Sequence, residues 1–147
     1  MHVTVLDTEK VGDTQRSWLE ADLAASDAPF TVVVLHRPPF SSGSHGSSDG
    51  VRDAFVPLFA DRVDLVLAGH DHDYERTHAI DGVTYIVTGG GGIGTRAVGD
   101  SEFTALSVQV AHFVHVSVDE NEIRVVAIDG IGESFDSIVI PARTELR

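Results

Sequence analysis

Two histidines stand one residue apart in Gly69-His70-Asp71-His72, directly after the apolar run Val-Asp-Leu-Val-Leu-Ala. Imidazole suits ions such as Zn, Fe and Mn. Where a chain stays extended, side chains two residues apart point the same way and are separated by about 6.6 Å. Imidazoles so placed can each reach one of two ions roughly 3.5–4 Å apart. Gly69 would let the backbone turn sharply or approach such ions closely. Taken alone, an H-x-H string is more often a polar loop with two surface histidines.

A second histidine site lies at the end of another apolar run. His36 follows Thr31-Val32-Val33-Val34-Leu35, which reads as a strand buried on both faces. In a parallel sheet, both runs would deliver their histidines to the same C-terminal edge, where open α/β sheets place ligands. A lone histidine after a strand is usually a core or capping residue, but two strand-end sites in one small domain favour a shared metal centre. The loop Arg37-Pro38-Pro39-Phe40-Ser41-Ser42-Gly43-Ser44-His45-Gly46 comes next. Its prolines stiffen the start and its small residues let it fold back, so His45 could hang over the metals as a proton donor or phosphate contact. By itself such a residue is more often a solvent-exposed loop histidine.

Composition narrows the chemistry. The chain has 147 residues, enough for one domain with a modest core, and 42% are apolar. It has no cysteine, which excludes disulfides and thiolate metal sites. A formal net charge of −13 argues against non-specific binding to nucleic acid or anionic membranes. It does not exclude a small phosphate ester, because bound metal ions reverse the local field. No apolar run approaches membrane-spanning length, and the opening residues read as a strand rather than a signal peptide.

The elements that must position these side chains alternate in type. Residues 2–6 read as a strand, and Asp13 is placed to cap a helix to about residue 25 with Trp18, Leu19 and Leu23 on one face. Residues 51–61 have helical spacing, with Pro57 expected to kink or split them. Residues 63–68 read as a buried strand, 69–78 as a polar loop, and 83–88 as a strand entering the four-glycine run 89–92. Val108, Val110, Val114, Val116 and Val118 alternate as one face, residues 119–122 suit a hairpin turn, and 135–140 form a last strand. The order is β-α-β-α-β followed by a meander, which predicts a layered α/β domain.

Three strings together are specific. His36 to Gly46, then Gly69-His70-Asp71-His72-Asp73-Tyr74-Glu75-Arg76, then Tyr85-Ile86-Val87-Thr88-Gly89-Gly90-Gly91-Gly92 resemble the purple acid phosphatases among the calcineurin-like metallophosphoesterases. Leu6-Asp7-Thr8-Glu9, the Gln15-x-x-Trp18-Leu19-x-x-x-Leu23 spacing and the closing meander are similar to the same family. The resemblance implies a single partial domain over residues 1–147, the C-terminal half of a two-sheet sandwich flanked by helices. It implies that His36 and His70 bind the divalent ion, and that His72 binds the other ion, ferric in purple members. It gives His45 a contact with phosphate and a part in protonating the leaving group. Asp71, Tyr74, Glu75 and Arg76 match supporting positions, and the glycine run matches a structural turn. The implied cofactors are two metal ions, Fe with Zn, Mn or Fe.

The family's Gly-Asp-x-Gly, Gly-Asp-x-x-Tyr and Gly-Asn-His-Glu strings, which supply its bridging Asp, a further Asp, a Tyr and an Asn, do not occur in this sequence. Partial metal occupancy is therefore expected, because catalytic ions take roughly three protein ligands each. The implied reaction is phosphomonoester hydrolysis. The alternatives are a non-catalytic half-domain that binds metal or a partner until complemented, and a phosphodiesterase of the same superfamily. Expected partners are a phosphate ester and either a second copy or a complementing N-terminal half, with no nucleic acid and no membrane. Family members are often secreted or periplasmic. Of the other histidines, His112 and His115 read as sheet-surface residues, and His2 and His78 match no partner. Asp71 and Asp73 read either as acceptors that orient the ligand histidines or as solvated loop carboxylates.

Overall fold

The apolar runs become strands whose two faces meet different layers. The computed structural model describes residues 1–92 and 94–143. β1 (His2–Leu6), β2 (Thr31–Leu35), β3 (Leu65–Ala68) and, beyond the short β4 (Tyr74–Thr77), β5 (Thr84–Thr88) form the larger sheet. β1, β2, β3 and β5 are mutually parallel, pairing Leu6 with Leu35, Leu35 with Ala68, and Ala68 with Val87. β4 runs antiparallel between β5 and β6 (Thr104–Val108), giving the order β1-β2-β3-β5-β4-β6. A second, antiparallel sheet contains β7 (His112–Val118), β8 (Glu122–Asp129) and β9 (Ser134–Pro141).

Period-two alternation divides each buried strand between two cores. Val33 and Leu35 of β2 and Val66 and Ala68 of β3 face helix α1 (Asp13–Ala25) and helix α2 (Asp49–Phe55), packing with Leu19, Leu23 and Phe55. Val32 and Leu65 point the other way, against Ile123, Val125 and Ala127 of β8. The helices thus cover one face of the larger sheet and the three-stranded sheet covers the other. That is why residues 31–35 and 65–68 read as continuous apolar runs.

Several elements differ from the sequence reading. α1 begins at Asp13, with Gly12 in the cap position, so Asp13 favours the helix through its charge in the first turn and not through a side-chain cap. Leu19 and Leu23 are buried, but Trp18 is 49% exposed. Pro57 does split the second helix: α2 ends at Phe55 and a 3₁₀ turn, Val56–Leu58, follows with the proline at its start, where no amide donor is needed. Residues 69–78 are not wholly loop, because β4 lies inside them. The valine alternation from 108 to 118 is two strands in two sheets, interrupted after Val108.

Candidate metal centre

The parallel strands all end at one edge, and the chemistry gathers there. His36 leaves the end of β2, and the Gly69 amide donates to its carbonyl at 3.1 Å. This contact ties the end of β3 to that of β2. His70 then adopts φ +70, a left-handed conformation that a non-glycine residue rarely takes. The chain is therefore turned, not extended, through the H-x-H string. The freedom expected of Gly69 is exercised one residue later. His70 Nδ1 lies 3.2 Å from His36 Nε2, and the rings are 5.0 Å apart.

The separation of those two nitrogens bears on a metal. Two imidazole nitrogens about 2.1 Å from one tetrahedral ion would stand about 3.4 Å apart. The pair therefore fits two ligands of a single ion. His72 takes a separate direction. Its Nδ1–H donates to the Gly94 carbonyl at 3.2 Å, which leaves Nε2 with its lone pair free for a ligand role. Among the described residues, no group of three or more His, Cys, Asp or Glu is placed to hold a metal ion. The structure thus brings His36 and His70 together and does not bring His72 to them.

His45 reaches the same place from the long loop. Its ring centroid is 4.3 Å from that of His70. Asp71, completely buried, holds it there: the His45 amide donates to Asp71 Oδ1 at 2.9 Å and His45 Nδ1–H donates to the same oxygen at 2.7 Å. Ser41 Oγ donates to the other carboxylate oxygen at 2.6 Å. Burial raises the Asp71 pKa, but these hydrogen bonds from Ser41 and His45 outweigh it and hold the carboxyl below its ordinary range. Asp71 therefore orients His45, and the structure gives it no bond to His36, His70 or His72. Close approach makes two glycines obligatory. A Cβ on Gly43 would come within 2.6 Å of Asp71 and Asp73, and one on Gly89 within 2.0 Å of the Asp71 carbonyl.

The Asp73-Tyr74-Glu75-Arg76 segment supports the edge in alternating directions. Glu75 is buried and accepts from the Ser42 amide at 2.6 Å and Thr104 Oγ1 at 2.5 Å, clamping the His45 loop to β6. Tyr74 Oη and Arg76 Nε donate to Asp136 of β9 at 2.7 and 2.6 Å, joining the two sheets. Asp73 is fully buried and neither carboxylate oxygen has a protein partner. Burial, then the charges of Asp71 and Glu75, push its pKa up to about 7.

The remaining histidines sort by environment. His112 is buried, contrary to the surface reading: its Nδ1–H donates to the Val110 carbonyl at 2.9 Å and it accepts from Thr88 Oγ1 at 3.0 Å. Its register on β7 points inward, and the glycine run packs on it; a Cβ on Gly90 would meet its ring at 2.4 Å. His115 is exposed, and His2 lies 2.8 Å from Asp22. One side chain at the edge escaped the sequence reading altogether. Arg96 places Nη1 3.0 Å from His45 Nε2, and its amide donates to the His72 carbonyl at 2.9 Å. Its only sequence signal was a basic residue downstream of the glycine run.

This architecture, with imidazoles at the C-terminal edge of parallel strands, defines the class. The model of the calcineurin-like phosphoesterases matches residues 2–74. Tartrate-resistant acid phosphatase type 5 of Mus musculus is 27% identical over 143 residues, 90% of this chain and 44% of that protein. An uncharacterised protein of Mycobacterium tuberculosis is 40% identical over 78 residues, 48% of this chain and 15% of that protein. Among solved structures, GAP50, the anchor in the inner membrane complex of Plasmodium, superposes with TM-score 0.89 at 20% identity, covering 98% of this chain and 50% of that one. Purple acid phosphatase PPD1 of yellow lupin gives 0.85 at 22% identity, covering 95% and 30%. Residues 2–74 thus carry the calcineurin-like phosphoesterase match, and the homologues and structural neighbours of the chain include purple acid phosphatases. The chain spans less than half the length of these curated relatives.

Proposed function

We infer that this chain supplies part of a dinuclear-metal site that hydrolyses phosphate monoesters. The observation that carries this reading is the meeting of His36, His70 and His45 at one strand edge, with a His36–His70 nitrogen separation of 3.2 Å. His36 and His70 would hold the divalent ion, and His72, its Nδ1–H committed to Gly94, would offer Nε2 to the second. Bound there, such ions acidify water and neutralise charge on the phosphoryl group. His45 stands beside that pair, its ring fixed through Nδ1 by Asp71, so Nε2 is the atom that would serve the leaving oxygen. Tyr74, Glu75 and Arg76 act at one remove, holding the loop and the second sheet in place.

Two residues on one ion are too few for tight binding, and the residues of this chain therefore fit part of the metal group. The other ligands would come from a complementing segment carrying the family's carboxylates, or the chain would remain a non-catalytic metal- or partner-binding half-domain until complemented.

The test is hydrolysis of a chromogenic phosphate monoester, and of the matching diester, by the chain alone and by the chain joined to a segment bearing the family's Gly-Asp-x-Gly, Gly-Asp-x-x-Tyr and Gly-Asn-His-Glu strings. Turnover is expected in the joined protein, with metal, and little in the chain alone. His45→Ala in the joined protein should keep its metal and lose roughly 10²–10⁴-fold in rate. Diester turnover exceeding monoester turnover would move the reading to a phosphodiesterase, and an inactive joined protein would refute both.

A further inference from the structure

We propose that Arg96 is a substrate-binding residue, a guanidinium poised to take the phosphoryl oxygens of the ester beside His45. The proposal rests on the phosphoester reading above and adds a residue to it. Arg96 belongs to none of the strings that carry the family resemblance.

Charge and position together set it apart. The chain carries 10 Lys and Arg against 23 Asp and Glu, so carboxylate partners are plentiful. Arg37, Arg52, Arg76, Arg124 and Arg143 each pair with one. Among the described residues Arg16, Arg62 and Arg96 pair with none; Arg16 donates to the Ala54 carbonyl, whereas Arg96 stands at the histidine edge with Nη1 3.0 Å from His45 Nε2 and 3.3 Å from its Nδ1. His45 Nδ1–H is donated to Asp71, and Arg96 Nη1, close to both ring nitrogens, packs on the face of the imidazole rather than in line with the Nε2 lone pair. Contact with the face of an imidazole uses little of a group with five donors and a full charge. The guanidinium is exposed at the mouth of the site, while its backbone is fixed by the amide bond to the His72 carbonyl.

A planar fork of this kind matches two oxygens of a phosphate, and a charged pair is stronger than a charge-to-neutral bond. An arriving dianion would therefore draw Arg96 off His45. The exchange does two things. It gives the anion a local cation in a chain whose net charge of −13 repels it at range. It also lifts the guanidinium off the face of the His45 ring.

Orthophosphate titrated into the chain, with and without Zn(II), tests this through the side-chain NMR signals of Arg96 and His45. Both should shift with one dissociation constant. Arg96→Gln should raise that constant about tenfold or more, the loss of a charge-assisted hydrogen bond. Arg96→Lys, which keeps the charge but not the fork, should fall between, and Arg62→Gln, away from the edge, should leave it unchanged. Phosphate binding as tight in Arg96→Gln as in the parent would overturn the assignment, and so would a parent chain that binds no phosphate. Zn(II) content measured on the same samples separates the outcomes: failure to bind metal counts against the phosphoesterase reading, whereas phosphate binding indifferent to Arg96 counts against this inference alone.

Discussion

His45 owes its place to residues whose importance the sequence only half disclosed. The four histidines at the edge were legible because each follows an apolar run or lies in a stiffened loop, and such placement restricts where an imidazole can go. The partner of Asp71 was not legible. Adjacency to His70 and His72 suggested that it orients them, but the left-handed turn at His70 swings its carboxylate towards His45 instead. His112 illustrates the converse error, since alternation on one strand does not say which face is buried. Burial lowers its pKa from the ordinary 6.5, against an opposing hydrogen bond to Val110. A histidine kept neutral in the fold binds fewer protons than in the unfolded chain, so its contribution is full above about pH 6.5 and is lost as pH falls below that value. We expect the melting temperature of the parent to drop more between pH 7.5 and 5.5 than that of His112→Gln. Parallel curves for the two proteins would contradict the buried neutral assignment.

At the scale of elements, β4 was the strand that sequence reading could not find. Its four residues, Tyr74-Glu75-Arg76-Thr77, carry two charges, and charged residues argue against a central strand. The structure resolves the conflict by pairing each charge on its own face: Glu75 with Ser42 and Thr104, Arg76 with Asp136. The larger parallel strands were legible because both of their faces are apolar. The Arg76–Asp136 pair is a polar link across the sandwich, with side chains 19% and 9% exposed. Removing one partner from a fully buried pair costs about 3–5 kcal/mol, and the partial exposure here lowers the expectation for Asp136→Ala to about 2–3 kcal/mol. Burial raises the Asp136 pKa, but hydrogen bonds from Arg76 and Tyr74 outweigh it and hold it below 3.8. The stabilisation is thus present above that pH and lost as pH falls through the depressed value. Urea unfolding of Asp136→Ala at pH 7 checks this, and a loss under about 0.5 kcal/mol, the range of an ordinary surface change, would show that the pair does not join the sheets.

For the whole molecule, the α/β layering was legible, but the location of its exposed apolar surface was not. The runs at 31–35 and 65–68, which read as buried strands, are enclosed by helices on one side and β8 on the other. One open edge is β1, where Val3 and Val5 are 47% and 67% exposed. An edge strand with apolar side chains is a template for pairing. We expect concentration-dependent self-association in light scattering, reduced by Val5→Lys, which charges that edge. A concentration-independent monomer would remove the expectation.

Central to the proposed function is metal binding through His36 and His70 at the edge of the parallel strands. Metal analysis of the purified chain after equilibration with Zn(II) tests it most directly. Partial occupancy is predicted for the parent, lost in both His36→Ala and His70→Ala and unchanged in His115→Ala. Occupancy that survives His70→Ala, or that disappears equally in His115→Ala, would contradict it.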